Sequence, residues 1–175
     1  MKINYLDRSA VKTGNSIGDF LLNQISKMLN PFRYRYKALV HIMCTQDDIW
    51  HALTDLDSYH LWNPFTPKVE TNWQVGDAVV LTVRMKKGKK LIVQTEYLSR
   101  YTPKDEIAWG IQWSIFLKAE RVQQIGVDTD NTVSYFTEDI IEGMLSPLVH
   151  FMYGKSIQDG FDALADSLKK YLEKS

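Results

Sequence analysis

The chain of 175 residues carries 21 lysines and arginines against 21 aspartates and glutamates. This length fits one domain with a modest extension and allows a substantial core. Because the formal net charge is zero, no long-range positive field exists to concentrate nucleic acid, and we expect no nucleic-acid partner.

Cysteine usage and hydropathy favour a cytoplasmic protein. Cys44 is the only cysteine, which excludes an internal disulfide, and its apolar neighbours are typical of an ordinary buried thiol. The first residues lack the apolar run of a secretory signal, and nowhere do about 18 apolar residues follow one another, as a transmembrane helix requires. We therefore predict a cytoplasmic location and no transmembrane segment.

Residues 16–30 form the first segment with helical periodicity. Apolar side chains recur there at helical spacing, and the residue before Pro31 is pushed out of the helical region. The stripe comprises Ile17, Phe20, Leu21, Ile25, Met28 and Leu29. We predict an N-terminal amphipathic helical extension over 1–30 and a separate domain over 31–175. Because Asp19 and Lys27 are the segment's only ionised side chains, docking on protein, including a possible homodimer through this helix, is favoured over a membrane surface.

The domain begins with a strand over 35–44. Thr45 then supplies a capping hydroxyl and acidic residues follow, which predicts a short helix, and a second helical turn around 57–61 ends before Pro64. Six runs with the two-residue alternation of strands come next, without an intervening helix. They cover 68–73, 78–85, 91–100, 106–116, 118–127 and 132–141. Their short connections predict antiparallel neighbours.

The last predicted element is a helix that runs to about Glu173. Ser146 is its expected N-cap and Pro147 its first residue, and its length would be about 40 Å. We expect its apolar stripe to cover the concave face of the sheet. That stripe comprises Leu148, Phe151, Met152, Ile157, Phe161, Leu164, Leu168 and Tyr171. Gly154 and Gly160 lower the helix propensity, which indicates a bend or a close approach.

Several short motifs resemble the START-like superfamily, also called SRPBCC, a grouping of lipid-transfer domains, pollen allergens, polyketide cyclases and coenzyme-Q-binding proteins. The first runs from Ile49 to Phe65 and contains Trp62-Asn63-Pro64-Phe65. The turn Val75-Gly76-Asp77, the strand entry from Pro103 to Trp109 and the segment from Phe136 to Leu148 follow the same pattern. Together these matches span 36–172.

The resemblance implies an α+β helix-grip fold. A seven-stranded curved antiparallel sheet would surround a long C-terminal helix, with two short helices after the first strand and the N-terminal helix as an addition. The implied partner is a hydrophobic small molecule in an internal cavity. Since a fold does not fix a function, three hypotheses stay open. We favour binding or carriage of a lipid, polyketide or quinone-like molecule over a polyketide cyclase/dehydrase-like enzyme or an Hsp90-activator-like protein-interaction module.

The strand over 107–113 supplies two indoles to one face of the sheet. Alternation places Trp109 and Trp113 together on the face expected to be concave, where they either stack on a flat ligand or fill the core. On the next strand, either Arg121 and its odd-numbered neighbours or Glu120 and its even-numbered neighbours face inward, and the resemblance favours Arg121. The residues expected to line the cavity are Trp62, Phe65, Leu81, Val83, Trp109, Ile111, Trp113, Arg121, Tyr135, Leu148, Phe151 and Met152.

Four polar residues are candidates for acid–base chemistry, namely Glu138, Arg121, Tyr135 and His150. A glutamate without an identified acid partner is weak evidence for catalysis, so a structural role is favoured for Glu138. An inward Arg121 needs a partner such as Glu96, Glu138 or a ligand anion, because an unpaired buried charge is costly.

Other chemistries have no motif in this sequence. The histidines show no metal-ligand spacing, and neither a glycine-rich phosphate loop nor a nucleophile elbow is present. We predict no metal and no cofactor, and no residue is assigned a catalytic role.

Overall fold

The computed structural model describes residues 31–85, 91–113, 115–128 and 132–174. The chain divides into two units, Met1–Pro31 and Phe32–Ser175, and the architecture below is that of the second. The predicted N-terminal helix over 16–30 lies outside the described residues.

Among the described residues, seven strands and three α-helices follow one another in the predicted order. The strands are β1 (Arg33–Ile42), β2 (Lys68–Glu70), β3 (Ala78–Arg84), β4 (Leu91–Thr102), β5 (Glu106–Trp113), β6 (Leu117–Val127) and β7 (Val133–Glu142). The helices are α1 (Gln46–Thr54), α2 (Tyr59–Trp62) and α3 (Ser146–Leu172), with a 3₁₀ turn at Leu56–Ser58.

All seven strands form one antiparallel sheet in the order β1-β7-β6-β5-β4-β3-β2. Strands β2 to β7 pair as successive neighbours, as their short connections predict. The first strand pairs with the last, from Arg33 opposite Glu142 to Ile42 opposite Val133. A register shift between Leu98 and Arg100 interrupts the β4–β5 pairing. The predicted seven-stranded helix-grip α+β fold is confirmed.

Hydrogen bonds between Thr45 and Asp48 fix the start of the first helix, α1. The Thr45 side chain accepts a hydrogen bond from the Asp48 backbone, and the Asp48 carboxylate accepts one from the Thr45 backbone, which closes the predicted capping box at the start of α1. The helix thereby buries Ile49 and Leu53 against the sheet.

The long helix α3 differs from the prediction at its start and on its first turns. Leu145 is the N-cap, so Ser146 is already helical. The second half of the stripe is buried as expected, with Phe161 only 1% exposed, whereas Phe151 is 88% exposed. Met152 precedes Phe161 by nine residues, about two and a half turns, and therefore lies on the opposite side of the helix. The prediction that Leu148, Phe151 and Met152 face the sheet is wrong, because all three side chains are exposed.

The prediction of a close approach at the two helical glycines is confirmed. A Cβ at Gly160 would lie 2.3 Å from a ring carbon of Phe65, and one at Gly154 would lie 3.0 Å from the Tyr36 hydroxyl. Glycine at these positions lets the helix backbone pack directly onto aromatic side chains of the core.

Candidate functional site

The interior faces of β6 and β7 carry a cluster of polar side chains beneath α3. Alternation along β6 buries Arg121, Gln123 and Ile125, while β7 buries Tyr135 and Asp139. Direct pairing places Arg121 opposite Asp139. This settles the alternative left open by the sequence, because Arg121 and its odd-numbered neighbours face inward.

Arg121 is the centre of this cluster and is 7% exposed. Its Nη2 lies 3.8 Å from Oδ2 of Asp139, and its Nη1 donates a hydrogen bond of 3.4 Å to the Thr66 hydroxyl. Its guanidinium carbon lies 4.9 Å from the ring centroid of Phe161 and 5.3 Å from that of Phe65. Two ring faces and one carboxylate thus compensate part of the cost of burying the cation.

The loop after α2 positions two of these partners. The Asn63 side-chain oxygen accepts hydrogen bonds from the backbone nitrogens of Phe65 (3.2 Å) and Thr66 (2.7 Å). The resulting tight turn directs the Phe65 ring and the Thr66 hydroxyl at Arg121. Trp62 and Phe65 are both buried, so these two aromatic side chains of the Trp62-Asn63-Pro64-Phe65 motif form part of the core.

The carboxyl groups of Glu96 and Asp139 both interact with Arg121. Burial raises the pKa of Glu96 to about 7, the attraction of Arg121 opposes this rise, and the repulsion of Asp139 adds to it. Burial also raises the pKa of Asp139 despite the neighbouring Arg121. Desolvation outweighs the ion pairs in both cases. Glu96 therefore changes its protonation state near neutral pH.

Two tyrosines complete the buried polar network. The Tyr135 hydroxyl donates a 2.8 Å hydrogen bond to Oε1 of Gln123, and the Tyr59 hydroxyl donates one of 2.9 Å to the Leu53 carbonyl. Burial raises the pKa of both phenols, so they remain neutral donors.

Three buried side-chain nitrogens on β5 and β6 have no hydrogen-bond partner among the described residues. They are Nε1 of Trp109, Nε of Arg121 and Nε2 of Gln123. Trp109 stands directly opposite Arg121, and Gln123 follows two residues later on the same face. Leaving such a donor unpaired costs about 1–3 kcal/mol, so an acceptor placed here would remove a penalty that the folded protein already bears.

Not every predicted site residue belongs to this cluster. Glu138 points to the other face of β7, where its carboxylate lies 3.5 Å from Nη1 of Arg35. The inward carboxylate of β7 is its neighbour Asp139, which the sequence analysis did not select. His150 is exposed, stacks on Tyr34 with ring centroids 4.1 Å apart, and its Nδ1 lies 2.9 Å from the Tyr36 hydroxyl.

The predicted lining residues separate into a buried and an exposed group. The buried group is Trp62, Phe65, Leu81, Val83, Trp109, Arg121 and Tyr135. The exposed group is Trp113, Leu148, Phe151 and Met152. Ile111 is half-buried. The exposed group lies at the start of α3 and the end of β5, outside the polar cluster.

Two surface grooves lie apart from the polar cluster. One of about 420 Å³ is lined by side chains including Tyr97, Gln112 and Glu120, with Gly110 between them. The other, of about 600 Å³, is lined by residues from Leu56 to Asn72. Neither is lined by Trp109, Arg121 or Tyr135.

Two further findings concern the described part of the chain. None of its histidine, cysteine, aspartate and glutamate side chains group in threes that could hold a metal ion. None of its helices combines the length and the apolarity needed to cross a bilayer.

A curved antiparallel sheet closed over a long helix, with a charged cluster buried between them, defines a protein of the helix-grip class. Residues 34–173 match the family model described as polyketide cyclase / dehydrase and lipid transport, and the chain belongs to this family. No match was found among the curated proteins.

Solved structures show the same fold at low sequence identity. The Zhui aromatase/cyclase from Streptomyces sp. R1128 aligns with a TM-score of 0.64 and 15% identity, over 81% of this chain and 94% of that one. A START superfamily protein from Mycobacterium smegmatis gives 0.59 and 16%, over 80% and 97%. Truncated norcoclaurine synthase from Thalictrum flavum gives 0.59 and 13%, over 82% and 95%. These likenesses establish the fold alone.

Proposed function

We propose that this protein binds a hydrophobic small molecule between the sheet and α3, with a polar acceptor of that molecule facing Trp109, Arg121 and Gln123. The observation that carries the proposal is the set of buried nitrogens without a partner on two neighbouring strands. An internal ligand that accepts hydrogen bonds would satisfy them while its apolar part contacts the rings of Phe65 and Phe161.

Affinity would come mainly from apolar burial. A ligand that removes about 300 Å² of apolar surface from water gains about 7 kcal/mol before the entropic losses of binding, which alone falls short of the roughly 8 kcal/mol of micromolar affinity, so a micromolar ligand must bury more surface or add polar contacts. The polar cluster would then select among apolar molecules, because each nitrogen left unpaired by the wrong ligand retains its penalty.

Intrinsic tryptophan fluorescence tests this function. The protein would be titrated with a quinone, a fatty acid, an aromatic polyketide mimic and a plain hydrocarbon, and we expect a saturable change in emission that Trp109→Phe reduces. Arg121→Met should weaken binding of the acceptor-bearing probes, whereas Arg35→Met on the outer face should not. A panel without any saturable response would refute the proposal.

A second candidate function, enzymatic acid–base chemistry, is favoured by one observation. Glu96, whose pKa is about 7, shares Arg121 with Asp139, and a carboxyl group that titrates near neutral pH is suited to proton transfer. A cyclase/dehydrase-like reaction would have Glu96 or Asp139 accept a proton from an activated methylene while Arg121 stabilises the developing enolate.

Mass spectrometry separates the two functions. A polyketide mimic that binds but never loses water supports binding alone. Turnover that Glu96→Gln lowers about 10²–10⁴-fold without a matching loss of affinity would support the enzyme.

A further inference from the structure

Eight large apolar residues lie exposed at one end of the domain. They come from the β5–β6 turn, the β7–α3 connection and the first turns of α3, and we call them the apical patch. The members are Trp113, Ile115, Phe116, Met144, Leu145, Leu148, Phe151 and Met152. Their exposed fractions range from 40% to 88%.

Backbone hydrogen bonds join the segments that carry the patch. The Met144 nitrogen donates to the Ile115 carbonyl (3.3 Å), and the Leu145 nitrogen donates to the Phe116 carbonyl (2.9 Å). Gly143 makes this approach possible, since its φ is +110° and a Cβ would lie 2.7 Å from the Phe116 carbonyl oxygen. These hydrogen bonds already fix the backbone that carries the apolar side chains, so this backbone loses little conformational entropy on binding.

The patch has the area of a protein interface. With about 200 Å² for a large side chain, eight members at these exposures offer roughly 1000 Å². The largest apolar patch of an ordinary monomer is about 300–600 Å², and a stable complex buries about 800 Å² on each partner. Methionine and aromatic side chains are also the residues that interface cores favour.

The charges around the patch favour a second copy over a lipid surface. None of its eight side chains is ionisable, so a two-fold axis brings no like charges of the patch members together. Two nearby cations are paired with acids, Arg33 with Glu142 (3.0 Å) and Lys155 with Asp159 (3.1 Å). These pairs differ from the lysine- and arginine-rich polar face typical of membrane-surface helices.

We propose that two copies of this chain associate through the apical patch, as an isologous dimer. This interface is distinct from a dimer through residues 16–30, and it does not depend on the proposed ligand. Phe151 is the member whose substitution tests the interface most directly, because it is the most exposed member and lies on a regular helix.

Sedimentation velocity of the full chain over a wide dilution series tests the interface. We expect a concentration-dependent dimer that Phe151→Glu weakens about a hundredfold, as expected for a hot-spot aromatic replaced by a charge. Leu61→Glu, which places the same charge on an exposed apolar residue of α2 outside the patch, should leave the dimer unchanged. Circular dichroism checks that both variants fold, and Leu148→Glu repeats the test at a second position.

Three results would overturn the proposal. The first is a chain that stays monomeric at every concentration. The second is a dimer that survives both Phe151→Glu and Leu148→Glu, since its interface must then lie elsewhere. The third is binding of the monomeric chain to phosphatidylcholine vesicles that is lost in Phe151→Glu, which would assign the patch to a lipid surface.

Discussion

Glu96 is the residue through which pH should act on this fold. Its carboxyl group has a pKa of about 7 in the folded protein, above the ordinary value of 4.5. The folded state therefore holds this proton more tightly than the unfolded state, and stability falls as pH rises from about 4.5 to about 7.

Glu96→Gln should remove this dependence. We expect the free energy of unfolding of the variant to exceed that of the wild type by an amount that grows by about 2–3 kcal/mol between pH 5 and pH 8. Urea denaturation at a series of pH values measures the difference. Glu138→Gln, on the outer face, is the matched control, and parallel curves for Glu96→Gln and the wild type would contradict the assignment.

Arg121 and Asp139 should behave as a coupled pair. Arg121→Met alone leaves buried carboxyl groups without their cation and should cost about 3–5 kcal/mol of stability. The double variant Arg121→Met/Asp139→Leu removes both members and should cost clearly less than the sum of the single changes. Denaturant unfolding of the four proteins completes the cycle, and simple additivity would show that the two side chains do not interact.

At the scale of the element, α3 stabilises the sheet through its second half. Phe161→Ala should cost about 3–5 kcal/mol, because it opens a cavity against Phe65 and the core. Phe151→Ala, on the same helix but exposed, should cost less than about 0.5 kcal/mol. Chemical denaturation of the pair decides the point, and equal costs would mean that the helix face is wrongly assigned.

Gly160→Ala should destabilise the protein, although replacing glycine by alanine in a helix is usually stabilising, because Gly160 packs closely against Phe65. Gly160→Ala in an open helix would gain about 1 kcal/mol, but the new Cβ meets the buried Phe65 ring, and overpacking costs about 1–3 kcal/mol. We expect a net loss of about 1 kcal/mol in thermal and urea unfolding. The same substitution in a Phe65→Leu background should be neutral or stabilising, and a loss that persists there would place the strain elsewhere.

At the scale of the whole molecule, the fold could be predicted from the sequence because apolar and polar residues alternate along the strands and turn-forming residues separate them. The runs predicted over 78–85 and 118–127 differ from the observed β3 and β6 by one residue at one end. The run predicted over 68–73 is longer than β2, which ends at Glu70, and Trp73 adopts a φ of 59° that no regular strand allows.

The candidate site was only partly accessible, and two errors have geometric causes. Tyr135 and Glu138 have opposite parity, so one strand cannot direct both inward, and with Tyr135 buried the strand directs Asp139 inward in place of Glu138. The apolar stripe predicted for α3 combined residues from two sides of the helix. Met152 and Phe161 are about half a turn apart around the helix axis and point in opposite directions. Glu96 was named only as a partner of Arg121, because its burial depends on a long-range fold that no local pattern reveals.

The pairing of the first strand with the last has a consequence for synthesis. Strand β1 lies beside β7, and Arg33 and Glu142 are separated by more than a hundred residues. At about 5–20 residues per second, β1 leaves the ribosome roughly 5–20 s before its neighbour exists. During this interval the strand has no native partner, and closing so long a loop is slow. Chaperones that hold nascent strands should therefore act on this protein before its C-terminal third has emerged.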